Sequence, residues 1–406
     1  MLWGVVLVRP ERRKPIDLLV VALIGMVLAV GGAVIWWNSD ARATLSEPAA
    51  QPIPEPATPD ALPDALHEVW RAQSPRTPVP VVADSAVVTA GGGEVRGHDP
   101  LTGRVAWRYA RDLRLCTVGE QWNRAIAVYR KSHNCSEVTS LVGPTGVRGP
   151  QRNSNAEFGT RLLGDGTYLT ATGKKVFPTW RSDLVRTQQY GIPPDIKNPD
   201  NNIERPDCTY DSIAVGDKRI GVIEDCPRET GRVTMLKAHP EDDEEPEEYF
   251  SLVLGDPNAS VVAVSEQRIA VLLRGSQQVT VFDSKGRAVA QYPVRVGPPN
   301  YPDNVRIEST TTANKIYWWT GADTIALDPD TLTPQWTVRD TSGAGTMYAH
   351  HLALPNRAGV EFVAPGTGAP VAEIPVDRAG YTGSIRLNAD GPVLLEQRED
   401  TLVALR

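Results

Sequence analysis

The chain begins with one long apolar run and continues, after about residue 75, as short apolar runs separated by turn residues. Ile16 to Trp37 is apolar except for Asp17 near its start. About 20 helical residues span a hydrocarbon core of roughly 30 Å, and a soluble core helix rarely lacks a polar face for so long. The short runs that follow, with few amphipathic helical patterns among them, are typical of an all-β domain. The pattern predicts one transmembrane helix, residues 16–37, followed by a β-rich domain.

Basic residues are distributed unevenly around this run. Only Arg42 lies close behind it, whereas four basic residues precede it: Arg9, Arg12, Arg13 and Lys14. Positive charge is retained on the cytoplasmic side of a membrane, and tryptophans favour the headgroup region, where Trp36 and Trp37 would lie. We therefore expect residues 1–15 to be a cytoplasmic basic segment, Ile16 to Trp37 to cross the plasma membrane once, and the rest to be extracytoplasmic.

A cleaved signal peptide is the alternative interpretation of the same run. Ala41-Arg42-Ala43 is an acceptable cleavage site. The apolar run is longer than a usual signal core, and the tryptophan pair is unusual just before a cleavage site. An uncleaved anchor is favoured, and cleavage after Ala43 stays open.

Residues 38–66 form a proline-rich segment, which includes TLSEPAAQPIPEPATPDALPDAL over 44–66. Proline disfavours helix and removes donors from sheets. We expect an extended, semi-rigid linker that holds the folded domain away from the bilayer, with plain disorder as the alternative.

The remaining chain repeats one pattern of apolar strand, turn, apolar strand, polar turn and third strand. Its copies begin near Val79, Leu115, Thr160, Cys208, Ser260, Glu308, Tyr348 and Ser384. The spacing of about 41 residues is that of four-stranded propeller blades. The pattern predicts an eight-bladed β-propeller over 67–406, and seven blades remain an alternative because the third and seventh copies are poor.

The last copy is short, since it holds about three strands before the chain ends at Arg406. The segment HEVWRA, residues 67–72, is similar to the final strand of the first copy, GRVAWRY. A ring of blades needs closure to avoid open strand edges. We therefore expect residues 67–72 to complete the last blade; the alternative is a short helix or a piece of linker.

Two segments carry a recognisable motif, GHDPLTGRVAWRY at 97–109 and IALDPDTLTPQWTV at 325–338. They resemble the repeat of quinoprotein-type, or PQQ-like, propellers. Asp99 and Asp328 are suited to bonding turn amides, and Gly103 to a permissive turn conformation. Trp107 and Trp336 offer large apolar area for packing between blades. As a whole the chain resembles actinobacterial membrane-anchored PQQ-like propeller proteins of unsettled function, which supports fold and location rather than a chemistry.

The four cysteines form two similarly spaced pairs. Cys116 and Cys135 are 19 residues apart, and Cys208 and Cys226 are 18 apart. An even count in a translocated domain favours disulfides, so we predict these two pairings, each stabilising by roughly 3 kcal/mol in the loop-entropy account. A four-thiolate zinc site usually has more closely spaced cysteines; it and free thiols are the alternatives.

The net charge and the missing motifs argue against several classes of partner and cofactor. The net charge of −7 gives no basic excess, so nucleic acid is not an expected partner. The vicinal cysteine pair of quinone-dependent dehydrogenases and a C-x-x-C-H haem motif are both missing from the sequence. Gly91-Gly92-Gly93 lacks the rest of a P-loop, and His350-His351 would point to opposite faces of a strand. We predict no catalytic, cofactor-binding or metal-ligating residue and no cofactor.

Two insertions in the middle copies are candidate binding loops. One is the acidic run 241–248 and the other is GIPPDIKNPDNNIERPD, residues 191–207. The acidic run is interpreted first as a solvated loop, and otherwise as a site for a basic partner or a divalent cation. The function expected is a non-catalytic binding or scaffolding module of the cell envelope, with an envelope protein or polymer precursor as partner. The alternative is a small-ligand sensor or quinoprotein-type oxidoreductase that uses the central channel.

Overall fold

The structure is a computed structural model of the chain and describes residues 14–39, 42–192, 204–243, 245–297, 309–312 and 314–406. By its internal contacts the chain divides into two compact units, residues 1–45 and 46–406. The first contains the helix and the second contains the propeller.

Helix α1 spans Pro15–Trp37 and has 23 residues. Proline at its first position needs no N–H partner, and the backbone N–H of Lys14 donates to Oδ2 of Asp17 at 2.8 Å. Its mean hydropathy is 2.8 and none of that apolar window is buried within the protein. Among the described residues this is one helix long and apolar enough to cross a membrane, and its bounds match those predicted to within one residue.

The rest of the described chain is mainly β-strand. The first half contains β1 (Thr44–Glu47), β2 (Glu68–Gln73), β3 (Val81–Ala83), β4 (Ala86–Gly91), β5 (Glu94–His98), β6 (Val105–Arg111), β7 (Leu115–Gln121), β8 (Arg124–Lys131), β9 (Asn134–Val142), β10 (Arg148–Ala156), β11 (Leu162–Gly164), β12 (Leu169–Ala171), β13 (Val176–Trp180), β14 (Arg186–Gly191), β15 (Thr209–Gly216), β16 (Arg219–Cys226), β17 (Glu229–Lys237) and β18 (Glu248–Val253).

The second half contains β19 (Ser260–Val264), β20 (Arg268–Leu273), β21 (Gln278–Asp283), β22 (Ala288–Pro293), β23 (Ser309–Thr311), β24 (Ile316–Trp319), β25 (Thr324–Leu327), β26 (Pro334–Val338), β27 (Thr346–Tyr348), β28 (His351–Pro355), β29 (Gly359–Val363), β30 (Pro370–Pro375), β31 (Ile385–Asp390), β32 (Val393–Arg398) and β33 (Thr401–Leu405).

These strands form eight antiparallel sheets, and the predicted eight-bladed propeller is confirmed. The first sheet has the order β1-β6-β5-β4-β3. Blades 2 to 7 each use four consecutive strands, β7–β10, β11–β14, β15–β18, β19–β22, β23–β26 and β27–β30. Blade 8 has the order β2-β33-β32-β31. The first strands of blades 2 to 5, namely β7, β11, β15 and β19, are the inner ones, since they contact one another in succession; β31 likewise contacts β27 and β3.

The ring is closed by the N-terminal strand, as the sequence predicted. In β2, Trp70 lies opposite Ala404 and Ala72 opposite Leu402, in an antiparallel pairing with β33. The alternatives of a short helix or linker for residues 67–72 are wrong. Because β2 covers the edge of β33, the last blade has the same four-stranded width as blades 2 to 7.

The proline-rich segment differs from the predicted spacer in its propeller-side part. Ile53 is only 5% exposed, its N–H donates to the carbonyl oxygen of Pro144 at 3.0 Å, and its carbonyl oxygen accepts from Oγ of Ser85 at 2.7 Å. Leu66 is buried as well. Residues 46–66 are part of the compact propeller unit, because isolated apolar side chains between the prolines dock onto it.

Apolar side chains from facing sheets fill the space between neighbouring blades. One cluster joins Val81 and Val88 of blade 1 with Ala127 and Leu141 of blade 2. Trp107, Trp180 and Trp318 are the largest fully buried side chains. Stacked sheets with interdigitating faces are packed like a protein interior, so the ring is a rigid support for the loops at its two ends.

Candidate functional site

Tryptophans on the fourth strand of a blade connect each of three blades to the next. The indole N–H donates to a carbonyl oxygen in the turn between the third and fourth strands of the following blade. The pairs and distances are Trp70 to Pro100 at 2.8 Å, Trp107 to Gly143 at 2.7 Å and Trp336 to Pro365 at 3.2 Å.

The turn that accepts the tryptophan is itself built from the repeat motif. In blade 1, Oδ1 of Asp99 accepts from the N–H groups of Leu101 and Thr102 at 3.0 and 2.9 Å. Gly103 has a φ of 68°, and a Cβ there would lie 2.5 Å from the ring of Trp70. Asp328 bonds the N–H groups of Asp330 and Thr331 in the same way. In the structure these motif residues shape blade contacts.

The two predicted disulfides are present. Cys116 of β7 is bonded to Cys135 of β9 within blade 2, and Cys208 is bonded to Cys226 within blade 4. All four cysteines are therefore used, and none is a free thiol. The zinc and free-thiol alternatives do not fit this pairing.

A charged cluster fixes the chain just before Cys208. Nε of Arg205 lies 2.6 Å from Oε2 of Glu224, which is fully buried, and the same guanidinium also pairs with Glu248. The hydroxyl of Tyr190 donates to Oε1 of Glu248 at 3.2 Å. Burial raises the pKa of Tyr190 and of Glu248. The predicted binding loop 191–207 ends in this anchor, whereas its residues 193–203 lie outside the described residues.

The described residues of the acidic run 241–248 bond to strands of the propeller. Oδ2 of Asp243 pairs with Nε of Arg186 at 2.7 Å, and the carbonyl oxygen of Asp243 accepts from the N–H of Gln189 at 3.0 Å. Glu247 pairs with Lys237. The run lies between β17 and β18 and, through Asp243, along the outer strand of blade 3. Glu244 lies outside the described residues.

An open cavity of about 590 Å³ lies against the inner strands of blades 3 to 6. Its lining consists of Leu163, Gly164, Asp165, Gly166, Ile213, Ala214, Val215, Gly216, Asp217, Val262, Ala263, Val264, Ser309, Thr311, Thr312, Ile316, Pro329 and Asp330. Acidic, hydroxyl and backbone groups supply the polar part of this described lining, and no basic side chain belongs to it. The volume lies within the range of ordinary ligand sites.

Three carboxylates stand at the rim of this cavity. Oδ2 of Asp165 accepts from the N–H of Lys218 at 2.8 Å, and Oδ2 of Asp217 accepts from the N–H of Glu266 at 3.2 Å. Both bonds join the turns of neighbouring blades. Asp217 and Asp330 are exposed. This rim is suited to binding cationic or hydrogen-bond-donating groups, since carboxylates only accept.

Three histidines, His98, His350 and His351, lie in different surroundings. Nδ1 of His351 contacts the carbonyl oxygen of Ala349 at 2.7 Å, and His350 sits in the preceding turn with a φ of 64°. His98 was not singled out by the sequence analysis. It is buried against the ring of Trp70, with ring centroids 5.5 Å apart.

The surroundings of His98 define its protonation. Nδ1 donates to the carbonyl oxygen of Gly103 at 2.9 Å, so Nε2 accepts from the hydroxyl of Thr89 at 2.8 Å. Burial, as the largest cause, lowers the pKa of His98. The residue is therefore a neutral part of the junction between blades 8 and 1. Its position directly before Asp99 of the repeat motif was the available sequence signal.

Asp390, the last residue of β31, is a second residue that the sequence analysis did not single out. It is 7% exposed, and its Oδ2 atom has no hydrogen-bond partner. Burial, followed by the negative charges of Glu55, Asp84 and Asp99, raises the pKa of Asp390 to about 7. No hydrogen bond to Oδ2 offsets the cost of burying this carboxylate.

Metal-ligand geometry of three or more donors occurs at one place in the described chain. Cys208, Glu224 and Cys226 have ligand atoms within 4.8 Å of one another. The two sulfurs form a disulfide, so they cannot act as thiolate ligands.

Comparisons with known proteins define the fold. No protein-family model matches the sequence, and no curated protein matches it significantly. Among solved structures, the chain is similar to BamB from Moraxella catarrhalis, with a TM-score of 0.50, 13% identity, and coverage of 84% of this chain and 99% of that one. It is also similar to Sqt1 from Saccharomyces cerevisiae, with a TM-score of 0.49, 9% identity and coverage of 86% and 98%.

A third similar structure is the dihydro-heme d1 dehydrogenase NirN, with a TM-score of 0.44, 10% identity and coverage of 77% of this chain and 67% of that one. These structures are β-propellers of the PQQ-like or WD type. At such identities the likeness concerns the fold alone. The fold of this chain is an eight-bladed β-propeller.

Proposed function

We propose that this protein is a membrane-anchored, extracytoplasmic binding or scaffolding module of the cell envelope. Ile16 to Trp37 anchors it in the plasma membrane with its N-terminus in the cytoplasm. The apolar helix and the basic residues before it support that topology, and two disulfides fit an oxidising compartment. Residues 38–45 then connect the anchor to the propeller unit.

The observation that carries the proposal is the acid-rimmed cavity on a rigid ring. Its three carboxylates come from turns of blades 3, 4 and 6, and two of them are exposed. The lining supplies carboxylate, hydroxyl and backbone groups that can bind a partner through ion pairs and hydrogen bonds. A basic segment of an envelope protein partner complements such a rim, because electrostatic complementarity speeds encounter and sets specificity.

Capture from native membranes tests this function. The full-length protein, crosslinked in its own membranes, is expected to retain a stoichiometric envelope protein. A D217N/D330N variant, which neutralises two exposed rim carboxylates, is expected to lose most of it. The matched control D112N/D377N makes the same charge change at exposed positions away from the cavity. Equal capture by all three proteins, or no stoichiometric partner, would contradict the proposal.

The cavity volume also favours a second candidate, a small ligand bound in the channel. The protein would then act as a sensor or, with a redox cofactor, as a quinoprotein-type oxidoreductase. Native mass spectrometry and the visible spectrum of protein purified from its source distinguish this candidate. A retained small molecule or an absorption band supports it, and a partner protein without either supports the scaffold.

A further inference from the structure

We propose that one end of the propeller docks onto the phosphate headgroups of the anionic bilayer that holds the anchor. The inference rests on the anchored topology proposed above, and it concerns a different surface from the acid-rimmed cavity. This surface, which we call the basic patch, combines basic side chains with exposed apolar ones. Its members are Arg114, Arg130, Phe158, Lys174, Lys175 and Ile192.

The basic patch and the acid-rimmed cavity lie at opposite ends of the ring. Strands alternate in direction within a blade, so the turns after its first and third strands share one end. Asp165, Asp217 and Asp330 lie in turns of this kind. The members of the basic patch lie at the other end, in or beside the turns after β8 and β12 and the connections after β6, β10 and β14. One end thus presents carboxylates and the other presents cations.

Two arginines on blade 2 stand opposite one another. They continue the pairing of Leu115 with Tyr129 by one residue, and the N–H of Arg130 donates to the carbonyl oxygen of Arg114 at 2.8 Å. Neighbours of like charge across two strands repel, and neither arginine forms an ion pair with a described carboxylate. The guanidinium of Arg130 lies 4.5 Å from the ring centre of Phe158, which is 48% exposed. An external anion would relieve the repulsion between the two arginines.

Two lysines on blade 3 continue the patch. Oε2 of Glu157, the residue before Phe158, accepts from the N–H groups of Lys174 and Lys175 at 2.5 and 3.0 Å. The carbonyl oxygen of Lys175 accepts from the N–H of Ile192 at 3.2 Å, and the side chain of Ile192 is exposed. These contacts join the cations of blades 2 and 3 into one surface with an apolar side chain on each blade.

An anionic bilayer fits both parts of this surface. Cations near such a bilayer are attracted to its phosphate groups. Exposed apolar side chains such as Phe158 and Ile192 enter the boundary between the headgroups and the acyl chains. Asp112 is an exposed carboxylate beside the patch, and the surface remains positive because the four basic residues outnumber Asp112 and Glu157.

The chain also enters the propeller unit from the basic end. Glu47 lies 3.8 Å from Arg108 in the middle of β6. Two residues later, the N–H of Ala49 donates at 2.9 Å to the carbonyl oxygen of Thr145, in the turn after the third strand of blade 2. The chain here therefore runs away from the basic end. Residues 38–45, which connect the helix to the propeller unit, span at most about 30 Å. So short a tether raises the effective concentration of headgroups at the patch.

The test measures acylation of Lys175 by an amine-reactive reagent, read out by peptide mass spectrometry. The full-length protein is incorporated into nanodiscs of phosphatidylcholine alone or of phosphatidylcholine mixed with phosphatidylglycerol. We expect acylation of Lys175 to slow severalfold in the anionic discs only. Lys218 and Lys285, exposed in turns at the opposite end, should react equally in both.

Matched variants assign the protection to the patch. Each basic residue near an anionic surface strengthens attachment about fivefold, so R114Q/R130Q should lose most of the protection at Lys175. R104Q/R287Q makes the same charge change at two exposed positions of the opposite end and should keep it. Salt at about 1 M, where the Debye length is about 3 Å, should abolish it in the wild type.

Three outcomes overturn the inference. Equal acylation of Lys175 in both kinds of disc would show that this end does not dock, whereas a protein that does not enter discs at all would refute the anchor itself. Protection that R114Q/R130Q retains would place the contact on another surface. Protection in native membranes without protection in anionic discs would assign the patch to an anionic polymer or protein of the envelope instead of the bilayer.

Discussion

Trp107 of blade 1 donates its indole N–H to the carbonyl oxygen of Gly143 in blade 2, at 2.7 Å. The same ring covers Gly146, where a Cβ would lie 2.5 Å from it. Trp70 and Trp336 make equivalent contacts with the blades that follow them. One tryptophan thus joins two blades through both apolar area and a directional bond.

Replacing Trp107 tests this connection. Trp107→Phe keeps most of the apolar area but leaves the carbonyl oxygen of Gly143 without its donor, which is expected to cost about 1–3 kcal/mol. Trp107→Ala adds a cavity and should cost about 3–5 kcal/mol. Chemical denaturation measures both, with Val105→Ala on the same strand as an exposed control. A loss for Trp107→Ala no larger than for the control would refute the role.

Gly103 should not tolerate a side chain. Gly103→Ala places a Cβ against the ring of Trp70 at a φ of 68°, so we expect a loss of about 2 kcal/mol or more from strain and clash together. Gly366→Ala, in the corresponding turn of blade 7, meets no atom within 4 Å and should change stability little. Similar denaturation midpoints for the two variants would argue against this explanation.

Because β2 closes the ring, we expect the stability of the propeller to depend on the side chains of β2 and not only on the length of this segment. Exchanging Glu68–Gln73 for a Gly–Ser segment of equal length removes Trp70 and weakens pairing with β33. The melting temperature should fall clearly, because the edge of blade 8 is then open. The same exchange over residues 57–60, which are mostly exposed, is the control. Equal melting temperatures would show that the ring does not need this strand.

The two disulfides can be removed one at a time. C116S/C135S and C208S/C226S are each expected to lower the free energy of unfolding by roughly 3 kcal/mol, since each bond closes a loop of similar length. Peptide mapping without reduction checks the pairing directly. Alkylation of all four thiols in unreduced protein from the native source would disprove it.

His98 predicts a defined pH dependence. Its pKa is lowered in the folded state, so below the unfolded value of about 6.5 the unfolded chain binds more protons and stability falls as the pH falls. In His98→Gln this contribution disappears. The difference in unfolding free energy between the two proteins should be constant from pH 7 to 8 and change below about 6.5. Asp390 has the opposite sign, but it is common to both proteins. A difference that stays constant down to pH 5 would contradict a buried neutral His98.

The sequence predicts features that depend on local order and regular spacing. The apolar run of α1, the repeat of about 41 residues and the closing strand HEVWRA are readable because each is a pattern of adjacent residues. The pairing of the cysteines could be predicted from the sequence for the same reason, since each pair lies within one repeat. The period indicates blades that bury their apolar faces against neighbouring copies, whereas the choice of eight blades over seven was decided by the structure.

Tertiary structure decides which groups meet across blades. Trp107 could be assigned to packing from the sequence, but not its acceptor Gly143, which lies 36 residues later. The docking of Ile53 depends on groups of blades 1 and 2 that lie well apart in sequence. The burial of His98 under Trp70 and the isolation of Asp390 depend on ring closure, which brings the two ends of the propeller sequence together. No local pattern encodes these contacts, because burial and charge at one position are set by residues contributed from distant turns.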